Sequence, residues 1–306
     1  MARQTTTLLA LTAVLACGLG AAGCGRTGSA PSAGGRIRVV AAENFWGSIA
    51  AQLAGGRASV QSIIVNPNAD PHTYEPSAQD ARAVLSANMA IFNGLGYDNW
   101  SSQLLQASPQ PGRVVLNVGE VLGLPSGSNQ HRWYYPSDVY AVIDNITADY
   151  QRLDPADAAF FAAQKQSFET HALARYNALR SEIRARYAGV PVGYSESIFE
   201  GLGEDLGLKL LTPYSFTKAI AEGTDVTAQD KQTVDAQARG GAIKVWIFNS
   251  QNVTPDVRRV NQIAAERHIP IATVSETLSP ATDSFQQWQV SQLEGVLRAL
   301  HSATGR

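Results

Sequence analysis

Asp154-Pro155-Ala156-Asp157 opens the stretch that decides the fold, and after it no Gly or Pro occurs until Gly189. Asp154 suits an N-cap, Pro155 the first helical position and Asp157 an acid in the first turn. Apolar side chains at Phe161, Phe168, Ala172, Tyr176, Leu179, Ile183 and Tyr187 keep three-, four- and seven-residue spacing. This predicts one helix of about 34 residues, roughly 50 Å at 1.5 Å per residue. It is too long for one small domain and too polar for a membrane. A helix running the length of two lobes fits; a coiled-coil partner is the alternative, but the apolar heptad is not strict.

The chain on either side of this helix alternates strands with helices. Before it, Ile37–Ala42, Val60–Val65, Met89–Phe92 and Val114–Val118 read as strands, with helices at Phe45–Ala54 and Gln79–Ser86. After it, Val190–Tyr194, Lys209–Thr212, Lys244–Asn249 and Ile269–Val274 read as strands. The helices there are Ser197–Leu206, Thr227 to about Ala238, Pro255–Arg267 and Phe285–Ser302. The expected fold is α/β: two lobes, each a mainly parallel sheet flanked by helices, joined by one long rigid helix. The lobes are expected at 36–150 and 189–306, with the connector at 151–188. No internal sequence repeat is visible.

Composition agrees. The 306 residues carry 24 Lys+Arg against 26 Asp+Glu, a formal net charge of −2, with 44% hydrophobic and 16% charged residues. That length allows about two domains, and the apolar content excludes disorder for most of the chain. Balanced charge argues against nucleic-acid binding, which needs a basic face.

Residues 1–23 read as an export signal: Arg3 supplies the positive charge, and the apolar run from Leu8 to Ala16 is too short to span a membrane. Ala21-Ala22-Gly23-Cys24 resembles a bacterial lipobox, in which Cys24 becomes the lipidated N-terminus; Val14-Leu15-Ala16-Cys17 is the competing site. The chain's 2 cysteines are thus both in the leader, which leaves the body without cysteine ligands, cysteine nucleophiles or disulfides. Residues 24–35 are small and polar and suit a flexible tether.

Of the 5 histidines, His171 lies inside the long helix, His268 at a helix end and His301 near the C-terminus, and all three read as solvated or structural. His72 differs. It sits in Asp70-Pro71-His72-Thr73-Tyr74-Glu75-Pro76 directly after a strand, where two prolines stiffen the loop. Strand ends of open parallel sheets are where ligands bind. His131 occupies a similar loop, Asn129-Gln130-His131-Arg132-Trp133-Tyr134-Tyr135-Pro136.

Here the sequence resembles the metal-binding lipoproteins of bacterial zinc and manganese ABC importers, the cluster A-I solute-binding proteins. Residues 70–76 match that family's first ligand motif almost residue for residue. Asn93-Gly94-Leu95-Gly96-Tyr97-Asp98-Asn99-Trp100 resembles the segment that follows it. His131-x-Trp133 stands where the family has its second ligand His, although Tyr134-Tyr135-Pro136 replaces the usual Leu-Asp-Pro. Ser195-Glu196-Ser197-Ile198-Phe199 looks like the third ligand motif in its glutamate form, and Asp205-Leu206-Gly207-Leu208 fits the step after it. Ser275-Glu276-Thr277-Leu278-Ser279 resembles the lead-in to the fourth ligand. The resemblance covers about residues 36–304, the long helix included.

The resemblance implies metal ligands at His72, His131 and Glu196. For the fourth it offers Asp283, in Asp283-Ser284-Phe285 at the start of the last helix, with Glu276 as the competitor at a strand end. Two imidazoles and two carboxylates suit Zn²⁺, Mn²⁺ or Fe²⁺ and lack the sulfur that Cu(I) prefers. The glutamate leans toward manganese-type members. Gly123–Gln130 lacks the His- and acid-rich loop of many zinc-type members, and zinc and manganese both stay open. Neutral imidazoles are needed for ligation, so affinity is expected to fall below about pH 6.5. Ligands from both lobes imply binding between them, with modest closure because the connector is stiff.

The implied role is capture of Zn²⁺ or Mn²⁺ outside the cytoplasm by a membrane-anchored monomer that delivers it to an ABC permease. A surface adhesin is the alternative, and a metallohydrolase a more distant one. No catalytic residue is singled out: Ser197 stands where a nucleophile elbow needs its second Gly, and Gly201-x-Gly203 with Gly207 misses the dinucleotide spacing.

Overall fold

A computed structural model describes residues 36–69 and 71–306. The leader, Cys17, Cys24, the tether and Asp70 lie outside the described residues. The first lobe runs Ile37–Glu43 (β1), Asn44–Ala54 (α1), Ala58–Ile64 (β2), Ala78–Ser86 (α2), Met89–Phe92 (β3), Trp100–Ala107 (α3), Val114–Asn117 (β4) and Val118–Val121 (α4). Three helices follow: Pro136–Leu153 (α5), Ala158–Ser167 (α6) and Ala174–Tyr187 (α7). The second lobe runs Pro191–Tyr194 (β5), Glu200–Asp205 (α8), Lys209–Leu210 (β6), Tyr214–Ala221 (α9) and Ala228–Arg239 (α10). It ends with Val245–Asn249 (β7), Pro255–Glu266 (α11), Ile271–Val274 (β8) and Phe285–Thr304 (α12).

Each lobe is a four-stranded, wholly parallel sheet, with orders β2-β1-β3-β4 and β6-β5-β7-β8. The α/β expectation therefore holds, and the two lobes share one strand order that no sequence repeat announces. In both sheets the order reverses at the first strand, so a crevice opens at the C-terminal strand ends where ligands bind such sheets. β1 is buried along nearly its whole length (Ile37, Val39 to Glu43), as expected of an inner strand covered on both faces.

The connector departs from a plain α-helix. A 3₁₀ turn at Pro155–Asp157 leads into α6, and Phe168–Ala172 is a π turn, closed by the Leu173 N–H donating to Phe168 C=O at 2.9 Å. The wider turn inserts one residue into the apolar phase. Buried positions therefore step from Phe161 and Phe168 to Leu173, then Tyr176, Leu179, Ile183 and Tyr187, with Leu173 taking the place expected of Ala172. This lets α6 pack on α1 and α5 while α7 packs on α12.

Helix α5 is not among the expected elements, although Pro136 sits in its first turn and Val139, Val142, Ile143, Ile146 and Tyr150 form its buried face. One apolar core runs from β1 through the connector to α12 and so belongs to both lobes. Polar contacts cross as well. Phe285 N–H donates to Ser48 Oγ at 2.9 Å, and Leu278 N–H to Asn44 Oδ1 at 3.2 Å. Among the described residues no helix is long and apolar enough to cross a membrane.

Candidate metal centre

His131 ends the loop before Arg132–Tyr134, a single 3₁₀ turn, and Pro136 then starts α5. Its side chain is fully buried. Asn129 Oδ1 lies 2.9 Å from Nδ1 and accepts the His131 backbone N–H at 3.0 Å. The same amide donates through Nδ2 to Ser197 C=O and to Glu200 Oε2, both at 2.8 Å, which settles its orientation. An acceptor at Nδ1 places the ring hydrogen there and leaves a lone pair on Nε2. That lone pair faces Glu196 Oε1 and Glu276 Oε1, each 3.6 Å away.

Glu196 lies two residues beyond β5 and Glu276 two residues beyond β8, so both carboxylates rise from the C-terminal edge of the second sheet. Asn249, the last residue of β7, stands between them: its Nδ2 donates to Glu196 Oε2 and to Glu276 Oε1, both at 2.9 Å. Asn252 Nδ2 adds a donor to Glu196 Oε2 at 3.2 Å. Tyr97 reaches over from the first lobe and donates its hydroxyl to Glu276 Oε2 at 3.0 Å. The Tyr97 loop is shaped by Asp98, which accepts the N–H groups of Asn93 and Gly94, both at 2.8 Å. Gly94 has φ +71° and a Cβ there would strike the Asn117 side chain, so the turn requires glycine.

Electrostatics match this geometry. Burial lowers the His131 pKa to about 4, against the pull of Glu196. Burial raises the Glu196 carboxyl, and the neighbouring Glu276 raises it further. Burial also raises Glu276, opposed by nearby His72. Two adjoining buried carboxyls cannot both ionise cheaply without a cation, so they hold a proton at neutral pH. Behind Tyr97, buried Glu43 is pushed well up by burial and then by Asp98. Burial favours neutral His131 and protonated carboxyls beside it, so ligation here would also require the carboxyls to lose a proton.

His131, Glu196 and Glu276 each offer a donor atom within 4.8 Å of the others, the single group of this kind among the described residues. The chemistry fits a metal ion. His131 Nε2 is buried with no hydrogen-bond partner. Bonds of 2.0–2.2 Å in a tetrahedron place donor atoms about 3.4 Å apart, close to the observed 3.6 Å. His72 is exposed and is not one of these three; its ring lies 4.8 Å from that of Tyr97, which bonds Glu276, and its Nε2 is 3.2 Å from Gln130 Nε2. The loop below it is pinned by Trp100 Nε1, which donates to Pro71 C=O at 3.2 Å.

Asp283 is not in the group. Its N–H closes a turn onto Pro280 C=O at 3.1 Å, and Ser284 is the N-cap of α12. The structure thus brings Glu276 rather than Asp283 beside His131. The amides Asn249 and Asn252 carry no signal in the sequence beyond their place at the end of a strand and just after it.

Residues 39–299 match the family described as Zinc-uptake complex component A periplasmic. The chain belongs to this family. Among curated relatives, the iron-binding protein YfeA of Yersinia pestis is 25% identical over 258 residues, 80% of this chain and 71% of its own. The metal ABC transporter substrate-binding lipoprotein FimA of Streptococcus parasanguinis is 23% identical over 287 residues, 88% of each chain. Among solved structures, the Mn-bound periplasmic metal binding protein of Candidatus Liberibacter asiaticus superposes with a TM-score of 0.71 at 20% identity, over 86% of this chain and 98% of that one. The family membership and the two-lobed fold agree with the resemblance drawn from the motifs.

Proposed function

We propose that the protein captures one divalent transition-metal ion, Zn²⁺ or Mn²⁺, between its lobes and delivers it to an ABC permease. His72, His131, Glu196 and Glu276 are the proposed ligands. The observation that carries this is the buried Nε2 of His131, without a partner and 3.6 Å from two carboxylate oxygens supplied by the other lobe. Such a cluster is destabilising unless a cation neutralises it. The zinc-uptake family and the metal-transport relatives support the same role. A leader ending in Cys24 would place the protein outside the cytoplasm, held to the membrane by lipid. With His72 as the fourth, four protein ligands would leave little room for the open position that metal-assisted hydrolysis needs, which favours transport over catalysis.

The test is a titration of metal-stripped protein with Zn²⁺ and Mn²⁺, separately and in competition, by calorimetry with elemental analysis. One equivalent bound tightly is expected, and His131→Ala should lose at least about 100-fold in affinity, beyond the 10- to 100-fold of an outer partner. Absence of binding to either ion would sink the capture role.

A further inference from the structure

We propose that Asn249 and Asn252 are positioning residues that hold Glu196 to a single metal-facing oxygen, capping the donor atoms the protein can offer and biasing the site toward zinc over manganese. The inference rests on the capture reading above and concerns the geometry of that same site.

The hydrogen bonds are fully determined. The Gln251 backbone N–H donates to Asn249 Oδ1 at 3.0 Å, so the oxygen of that amide must lie there and Nδ2 must face the acids. Both Nδ2 hydrogens are then used, one on Glu196 Oε2 and one on Glu276 Oε1. Asn252 Nδ2 likewise spends its two hydrogens on Glu196 Oε2 and on Ile220 C=O at 3.1 Å. Glu196 Oε2 thus accepts two amide donors. A carboxylate oxygen has about two lone-pair directions, and both are taken. Glu196 can meet an ion only through Oε1, the oxygen that lies 3.6 Å from His131 Nε2.

Glu276 is less restricted. Its two oxygens accept one donor each, from Asn249 and from Tyr97, so each keeps a free direction. His72, His131 and Glu196 supply one donor atom apiece and Glu276 one or two. The protein therefore offers four or five donor atoms and never six. Zn²⁺ is content with four and accepts five. Mn²⁺ favours an oxygen-rich octahedron, whose remaining positions would have to be water entering on the exposed His72 side. Asn249 is fully buried, which favours its direct hold on Glu196 over a water-mediated one.

The experiment measures the Zn²⁺ and Mn²⁺ dissociation constants of the full chain, of Asn252→Ala and of Asn249→Ala, together with the visible absorption of each with Co²⁺. Wild type should give the intense bands of four- or five-coordinate Co²⁺. Both variants free a direction on Glu196 Oε2 and should narrow the zinc-to-manganese affinity ratio about tenfold, the scale of outer-partner effects. Their Co²⁺ bands should weaken toward the six-coordinate form. Asn252 is only half-buried, so Asn252→Ala decides the question if Asn249→Ala fails to fold. A six-coordinate spectrum in wild type, or an unchanged ratio and spectrum in Asn252→Ala, overturns the inference while leaving metal capture intact. Wild type that binds no ion overturns both.

Discussion

At the scale of single residues, the buried acids and His131 set opposite pH dependences. Glu196 and Glu276 are raised above the ordinary 4.5, so the folded apo protein holds protons that the unfolded chain has released. Their contribution to stability is present below about pH 4.5 and is lost as pH rises toward the raised folded values. Glu43 acts in the same direction. His131 falls from 6.5 to about 4, so its contribution is present above pH 6.5 and is lost as pH drops toward 4. Above pH 6.5 only the carboxyl contribution still changes. The apo protein should therefore melt at a lower temperature at pH 8 than at pH 6.5, while metal affinity rises across the same window because binding expels the shared proton. Calorimetric scans in metal-free buffer, and titrations in two buffers of different ionisation enthalpy, check both halves. A pH-independent affinity between 6.5 and 8 would remove the carboxyl pair from control.

At the scale of elements, the connector matters more than its length suggests. Its π turn allows one face of α6 to meet the first lobe and one face of α7 to meet α12. Leu173, fully buried at the end of that turn, keys the change of phase. Leu173→Ala should destabilise the apo protein by about 2–5 kcal/mol through the cavity it leaves. Metal affinity in the folded variant should stay near wild type, because the site hangs on strand ends and loops. Urea unfolding and a metal titration on the same sample give the two numbers. A stability loss below about 1 kcal/mol would mean that the turn repacks freely.

At the scale of the whole molecule, the lobes are not independent bodies. The apolar core is continuous through them, and Tyr97 already bonds to Glu276 across the crevice at 3.0 Å. Opening the crevice widely would break both. Metal binding should shift the radius of gyration by less than about 1 Å, as in pre-organised sites, and should add about 2.7 kcal/mol of stability when free metal is 100 times Kd. Small-angle scattering of apo and loaded protein tests the first statement. A change of several ångströms would show a hinge that the shared core does not suggest.

The sequence by itself determined the local facts. Strand and helix alternation, the helical connector and the proline-braced loops around His72 and His131 depend on neighbours a few positions away, and periodicity and backbone restriction report them directly. Even there, the signal of α5 was legible in its apolar spacing and Pro136, whereas nothing local marks a π turn. Only the tertiary structure decided which acid stands beside His131. Glu276 and Asp283 are seven positions apart, and the sequence favours Asp283, but the end of β8 aims Glu276 at the crevice while a turn onto Pro280 leads Asp283 away to the cap of α12. The amide of Asn249 between two carboxylates, the tautomer set by Asn129 and the proton held by the acid pair are also matters of the fold. Apart from Asn129 and His131, neighbours in one loop, the groups that meet here come from separate strands and loops, 179 residues apart in the case of Tyr97 and Glu276. Burial then fixes their charge states, and burial is a property of the packed molecule rather than of any one stretch of chain.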